Sequence, residues 1–251
     1  MAQAHLEAPG LSAKAGALGD LALTLPVFLV YQIGVVFLNV RNAADVVTSH
    51  LLAAVNGDRT TYLEITGGAG ALLFLVLAVV GRREVLRTRK LVQIVIEGAA
   101  YATAMGSATS WVVGRIFAGA AAASAPPRDA FTSVVMSLGA GFYEELAFRV
   151  LLFGLGAKIL VWLFARQSVS LVGTAPPLGL RAVLVMLVWA VVSAAVFSGM
   201  HYVGPLGDPF DARSFVARGV LGLALTLVYS MRGFAAAVWT HALYDVWVLV
   251  F

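Results

Sequence analysis

Residues 182–202 read AVLVMLVWAVVSAAVFSGMHY, an apolar stretch without a single Asp, Glu, Lys or Arg. About 20 such residues cross a bilayer core as helix, because lipid offers backbone N–H and C=O groups no partner outside their own segment. Six more apolar runs share the chain with it: Leu21 to Val40, Leu63 to Val80, Leu91 to about Gly119, Phe142 to about Leu163, Phe215 to Met231 and Phe234 to Phe251. Phe131 to Gly141 is a further candidate. Joined to the run at Phe142 it would make about 35 residues, roughly 50 Å of helix against a core of about 30 Å, so a break is expected at Gly139 and Gly141. The expected fold class is all-α, a polytopic membrane helical bundle with about seven or eight transmembrane helices.

Composition agrees. The 251 residues are 61% hydrophobic and 12% charged, with a mean hydropathy of +0.91. A soluble domain carries about 25% charge, and no water-soluble fold of this length could hide so much apolar surface. Soluble enzymes, disordered chains and collagen-like chains are therefore excluded. With no cysteine there is no disulfide, thiolate metal site or cysteine nucleophile. The net charge of +4 does not indicate a nucleic-acid partner, since no basic stripe carries interleaved aromatics. Gly67-Gly68-Ala69-Gly70 is expected to be a helix-packing patch and not a phosphate loop, because no Lys-Ser or Lys-Thr follows it. Ala118 to Pro127 reads as a loop, and His5 and His50 are expected to have no role.

An ionisable residue inside a span costs several kcal/mol and is by default a functional candidate. Three clusters stand out. Glu144-Glu145-Leu146-Ala147-Phe148-Arg149 opens one span, Phe197-Ser198-Gly199-Met200-His201 closes another, and His241-Ala242-Leu243-Tyr244-Asp245 lies inside the last. Glu145 and Arg149 are i,i+4 and can neutralise one another. Glu144, offset by about 100°, then needs a partner from another helix. His241 and Asp245 are also i,i+4, so the carboxylate can fix the ring's orientation. Phe197 lies one turn before His201 and can stack on its ring. Glu97 is expected to partner a buried polar group such as Arg115 or Tyr101. A desolvated carboxylate flanked by imidazoles can take a proton from water and direct it at an amide carbonyl, and a histidine pair can bind the resulting oxyanion or protonate the leaving amine.

The three segments, in this order, resemble the motifs of the CPBP family, the CAAX protease and bacteriocin-processing (Abi) membrane proteins: a double glutamate with arginine four residues on, then Phe-x-x-x-His, then His-x-x-x-Asn or Asp. The stretch Arg232-Gly233-Phe234 through Trp239-Thr240 resembles the context of the third motif. The resemblance runs from about residue 130 to the C-terminus. It implies an intramembrane glutamic endopeptidase. In it Glu144 activates water with His201, His241 and Asp245 stabilise the oxyanion, and Glu145, Arg149 and Phe197 support. It also implies a division into a cytoplasmic tail (1–20), N-terminal transmembrane helices (21–128) and a catalytic core (129–251). Where prenyl-protein proteases carry Asn, this chain has Asp245, which is expected to orient His241, since an ionised carboxylate cannot donate to an oxyanion. The implied substrate is a membrane-associated protein or peptide, such as one bearing a C-terminal sorting tail or leader.

Other chemistries compete for the same residues. Two histidines with one or two carboxylates make an acceptable zinc set, yet the short His-x-x-x-His pair of zinc proteases is missing, so no cofactor is expected and zinc is the alternative. A non-catalytic immunity or scaffold protein is the alternative from another class. A rhomboid-type serine protease would need Ser198 in a Gly-x-Ser-x motif, which is lacking.

Orientation follows the excess of Lys and Arg in cytoplasmic loops. Arg82 to Lys90 holds five of the 17, and with Lys14, Lys158, Arg166, Arg181 and Arg232 that side has ten. The other has six, Arg41, Arg59, Arg115, Arg128, Arg213 and Arg218, and Arg149 lies within a span. The first twenty residues make a poor signal-peptide n-region, so the first run is read as a retained span. The Ala, Gly, Val and Leu bias suggests a bacterial coding sequence, hence a bacterial cytoplasmic membrane with the N-terminus cytoplasmic and the site facing outward. A topology reporter fused after Phe251 is expected to read external; a cytoplasmic signal reverses the assignment.

Overall fold

The structure is a computed structural model that describes residues 16–79, 88–117, 129–169, 177–204 and 207–251. Most of the expected tail, most of the basic run Arg82 to Lys90 and all of the loop Ala118 to Pro127 lie outside the described residues. Eight helices carry the described chain, with no strand among the described residues: α1 (Ala17–Leu38), α2 (Val46–Ala54), α3 (Arg59–Val79), α4 (Thr88–Ile116), α5 (Ala130–Ala165), α6 (Leu180–Met200), α7 (Ala212–Arg232) and α8 (Phe234–Val250). Among them α1, α5, α6 and α7 are long and apolar enough to cross a membrane. The outer surface is correspondingly greasy: Leu184, Leu187, Val188 and Val191 on α6 and Leu72, Phe74 and Leu75 on α3 are all exposed.

Over its described residues, each of the seven apolar runs is carried mainly by a helix. The short α2 was not anticipated. Its start is set by Asp45, whose carboxylate accepts the Thr48 N–H at 2.9 Å, the capping arrangement that satisfies an orphan donor. Asp129 caps α5 through Thr132, and this pairing holds its carboxyl below the usual carboxylate range. Asp211 does the same for α7 through Ser214.

The expected break at Gly139 and Gly141 does not occur. Ala130–Ala165 is one helix of 36 residues, and its central stretch Ala140–Leu155 widens to i+5 hydrogen bonding. The register changes where the glycines were expected to break the chain. Gly141 instead permits a close helix crossing: a Cβ there would stand 2.7 Å from the Ala242 Cβ and 2.8 Å from the Val238 carbonyl oxygen. The Gly67–Gly70 patch behaves differently from expectation too. Only Gly70 lies close to a neighbour, Leu29 of α1, while Gly67 and Gly68 face open space.

α8 is the axis of the bundle. It packs against α1, α4, α5 and α7, and Ala235, Ala236, Ala237, Val238 and Ala242 are wholly buried. Small residues matter here because lipid is as apolar as the helix faces, so association depends on close contact and on hydrogen bonds between helices. One apolar cluster joins α1, α5 and α8 through Val27, Tyr31, Val135, Phe142 and Val238. A second joins α1, α4 and α8 through Leu23, Ile94 and Ala236.

Two polar ties fix the end of the bundle where α8 begins. Gly233, at φ 97°, turns the chain between α7 and α8 in a conformation glycine tolerates, and the Asp20 carboxylate accepts the Phe234 N–H at 2.9 Å. Nearby, Glu97 receives Arg232 through both Nε (3.0 Å) and Nη2 (2.7 Å). Arg232, and not Arg115 or Tyr101, is thus the cation that answers Glu97, because α7 delivers its last residue to the first turns of α4. Arg115 lies over the Trp111 ring instead.

Gly141→Ala is expected to lower stability by about 1–3 kcal/mol through overpacking, read as a drop in thermal midpoint in detergent, whereas Gly67→Ala leaves it unchanged. Equal midpoints for the two variants would show that the α5–α8 approach is not tight.

Candidate active site

The widened stretch of α5 aims Glu145 and Arg149 into the bundle, where they are 0% and 1% exposed. A lone carboxylate at that depth would cost several kcal/mol. An ion pair and a hydrogen bond offset the cost: Arg149 Nη1 stands 3.1 Å and His241 Nδ1 2.7 Å from Glu145 Oε1. The guanidinium also lies 4.3 Å from the centre of the Phe197 ring, a cation–π contact that uses the charge left over in a dry site.

Glu144, on the next residue, points elsewhere. Its Oε1 accepts a hydrogen bond from Asn42 Nδ2 at 2.9 Å. Its Oε2 stands 3.9 Å from Nε2 of His201 and 3.9 Å from Nε2 of His241. Those separations are too long for direct hydrogen bonds and suit a bridging water or substrate oxygen. The partner that Glu144 needed from another helix is thus three groups from three elements.

Asn42 comes from the link between α1 and α2 and was not anticipated. Its amide is oriented by its own surroundings. Oδ1 accepts the Ala44 N–H at 2.8 Å, so Nδ2 must face Glu144. Its backbone N–H donates to the Tyr31 hydroxyl at 2.9 Å, and that hydroxyl donates to Asp45 Oδ2 at 2.8 Å. A second buried chain lies behind, in which Gln32 donates to the Tyr143 hydroxyl at 2.6 Å and accepts from Thr48 at 2.9 Å and Tyr62 at 2.5 Å. The sequence signal for Asn42 is weak: a polar residue in a turn usually serves the turn alone.

The two imidazoles are oriented by different means. His201 follows the last residue of α6 and donates from Nδ1 to the Phe197 carbonyl at 2.9 Å, which leaves Nε2 free to accept. His241 is held from α5 by Glu145. Asp245 stands 3.5 Å from His241 Nε2, on the far side of the ring from Nδ1. Glu145, from α5, stands nearer the ring than Asp245 and shares in orienting it; the close α5–α8 crossing at Gly141 brings it there. Phe197 stacks edge-to-face on both rings, at 5.1 Å from His201 and 6.1 Å from His241, and on Phe148 at 5.1 Å.

All seven residues singled out from the sequence, Glu144, Glu145, Arg149, Phe197, His201, His241 and Asp245, thus meet in one place, with Asn42 added. Ser198 is committed elsewhere: its hydroxyl donates to the Phe215 carbonyl at 2.7 Å and ties α6 to α7. Among the described residues no group of three or more His, Asp and Glu side chains is arranged to hold a metal ion. His50 lies exposed on α2.

Residues 126–247 match the family described as type II CAAX prenyl endopeptidase Rce1-like. The matched segment includes α5, α6, α7 and nearly all of α8; Asn42 lies outside it. No curated protein and no solved structure matches the chain.

Proposed function

We propose that this chain, which belongs through residues 126–247 to the Rce1-like type II CAAX prenyl endopeptidase family, hydrolyses a peptide bond of a membrane-associated protein by glutamate-activated water. The single observation that carries the proposal is the position of Glu144 Oε2, 3.9 Å from each of two imidazole Nε2 atoms. That spacing leaves a water or a carbonyl oxygen within reach of a carboxylate and both rings.

The roles follow from the hydrogen bonds already formed. Glu144, oriented by Asn42, takes a proton from water as general base. His201, whose Nδ1–H is spent on Phe197, offers Nε2 to the second water proton and so fixes the attacking lone pair. The hydroxide adds to the carbonyl carbon. His241 carries a proton on Nδ1 toward Glu145 and, when doubly protonated, donates from Nε2 to the oxyanion. Asp245, beside that nitrogen, supports the charged ring. When the C–N bond breaks, the proton held by Glu144 passes to the leaving amine. Glu145 and Arg149 stay paired throughout and hold His241 in place.

The substrate proposed is a precursor whose tail or leader reaches the bilayer from the side on which α6 ends. The membrane proteomes of cells carrying wild type, Glu144→Gln and Asn42→Ala test this together. A precursor is expected to persist fully with Glu144→Gln and in part with Asn42→Ala, whose lost charge-assisted hydrogen bond should slow turnover about tenfold or more. A proteome unchanged by Glu144→Gln favours the scaffold alternative. Stoichiometric zinc in purified protein, lost together with activity on chelation, would replace the glutamic mechanism by a zinc-dependent one.

A further inference from the structure

An arginine whose charge reaches the site goes unused by the chemistry above. Arg218 stands on α7 one turn before Gly222, where a Cβ would lie 3.0 Å from the Phe197 ring. Its Nη2 donates to Asp208 Oδ2 at 2.6 Å, and its guanidinium lies 5.4 Å from the centre of the Tyr202 ring. Asp208 in turn donates its backbone N–H to the His201 carbonyl at 2.9 Å. Asp208 therefore joins this guanidinium to the backbone of His201, whose imidazole stands beside Glu144, and the charge of Arg218 reaches both His201 and Asp245.

Two further features make Arg218 different from an ordinary surface cation. Its Nη1 is shielded from solvent and finds no acceptor among the described residues, so an arriving oxygen would satisfy a donor now left bare. Its present partner is weakly held: Asp208 is 57% exposed, and ion pairs so open contribute little. Asp208 itself shows which chemistry the fork accepts, a carboxylate. The site proper presents Glu144 and Asp245 to an incoming chain, and its other arginine is committed to Glu145. An anionic substrate group therefore needs a cation outside that ring of carboxylates.

We propose that Arg218 anchors a carboxylate of the substrate peptide, either its C-terminal carboxylate or an acidic side chain, and so sets the distance from that charge to the bond cleaved at Glu144. The proposal rests on the endopeptidase function above. Bidentate guanidinium–carboxylate contacts supply both the affinity and the geometry.

The test uses the purified full chain and a degenerate library of internally quenched decapeptides in three matched forms: free acid, C-terminal amide, and amide with Asp and Glu replaced by Asn and Gln. Cleavage is measured for wild type, Arg218→Gln, Arg218→Lys and Asp208→Asn, and binding of the same peptides by anisotropy on Glu144→Gln with and without Arg218→Gln. Wild type is expected to show a KM about tenfold lower for a carboxylate-bearing form, the gap expected of a charge-assisted hydrogen bond. Arg218→Gln should collapse that difference, Arg218→Lys restore part of it, and Asp208→Asn lower KM for the same form by freeing the fork. The form preferred identifies the source: free acid over amide means the C-terminus, and a further loss on replacing Asp and Glu means a side chain. Equal KM for all three forms in wild type, or an Arg218→Gln defect equal across them, overturns the anchor while leaving the endopeptidase intact. Absence of cleavage with Arg218-dependent binding of the carboxylate forms would do the reverse. Absence of both overturns the anchor.

Discussion

The arrangement depends on one constraint: a carboxylate, Glu145, is buried with no exposure in the centre of an apolar bundle and must be neutralised there. Arg149 and His241 both converge on its Oε1. Because His241 belongs to α8, neutralising Glu145 also sets the rotation of the central helix against α5. Because Arg149 lies against Phe197, it sets α6 as well. Three helices thus take their relative positions from one buried charge. Such a site tolerates no change of partner, since removing one member of a buried pair leaves the other uncompensated.

Adjacent carboxylates then divide the work. Glu145 is held through one oxygen by a cation and an imidazole N–H. Glu144 keeps one oxygen for Asn42 and turns the other toward two imidazoles that do not touch it directly. In the proposed mechanism, that difference in surroundings lets two identical side chains serve structure and chemistry separately. It also gives the N-terminal helices a part in the site: Tyr31, Asp45 and Asn42 form a hydrogen-bonded chain from α1 and α2 to Glu144.

Much of this was legible in the sequence, and the rest was not, for physical reasons. Apolar runs reveal helices because each must satisfy its own backbone in lipid, and charges inside those runs reveal a site because they are costly there. Local spacing correctly paired Glu145 with Arg149 and placed Phe197 on His201. It missed Glu145 as a second group holding His241, a cross-helix contact that the Gly141 crossing permits. Glu97 likewise found Arg232 across two helices, besides Gln93 on its own. Asn42 was silent, since a turn asparagine looks the same whether or not its amide reaches a carboxylate. The expected break in α5 became a change of register, which hydropathy cannot see.

The most direct test compares Glu144→Gln with Glu145→Gln as purified proteins, measuring thermal stability and cleavage of the precursor that persists in Glu144→Gln cells. Glu144→Gln should keep the wild-type midpoint and lose cleavage, while Glu145→Gln should lose about 3 kcal/mol or more of stability by leaving Arg149 unpaired. A stable, inactive Glu145→Gln beside an active Glu144→Gln would contradict the account.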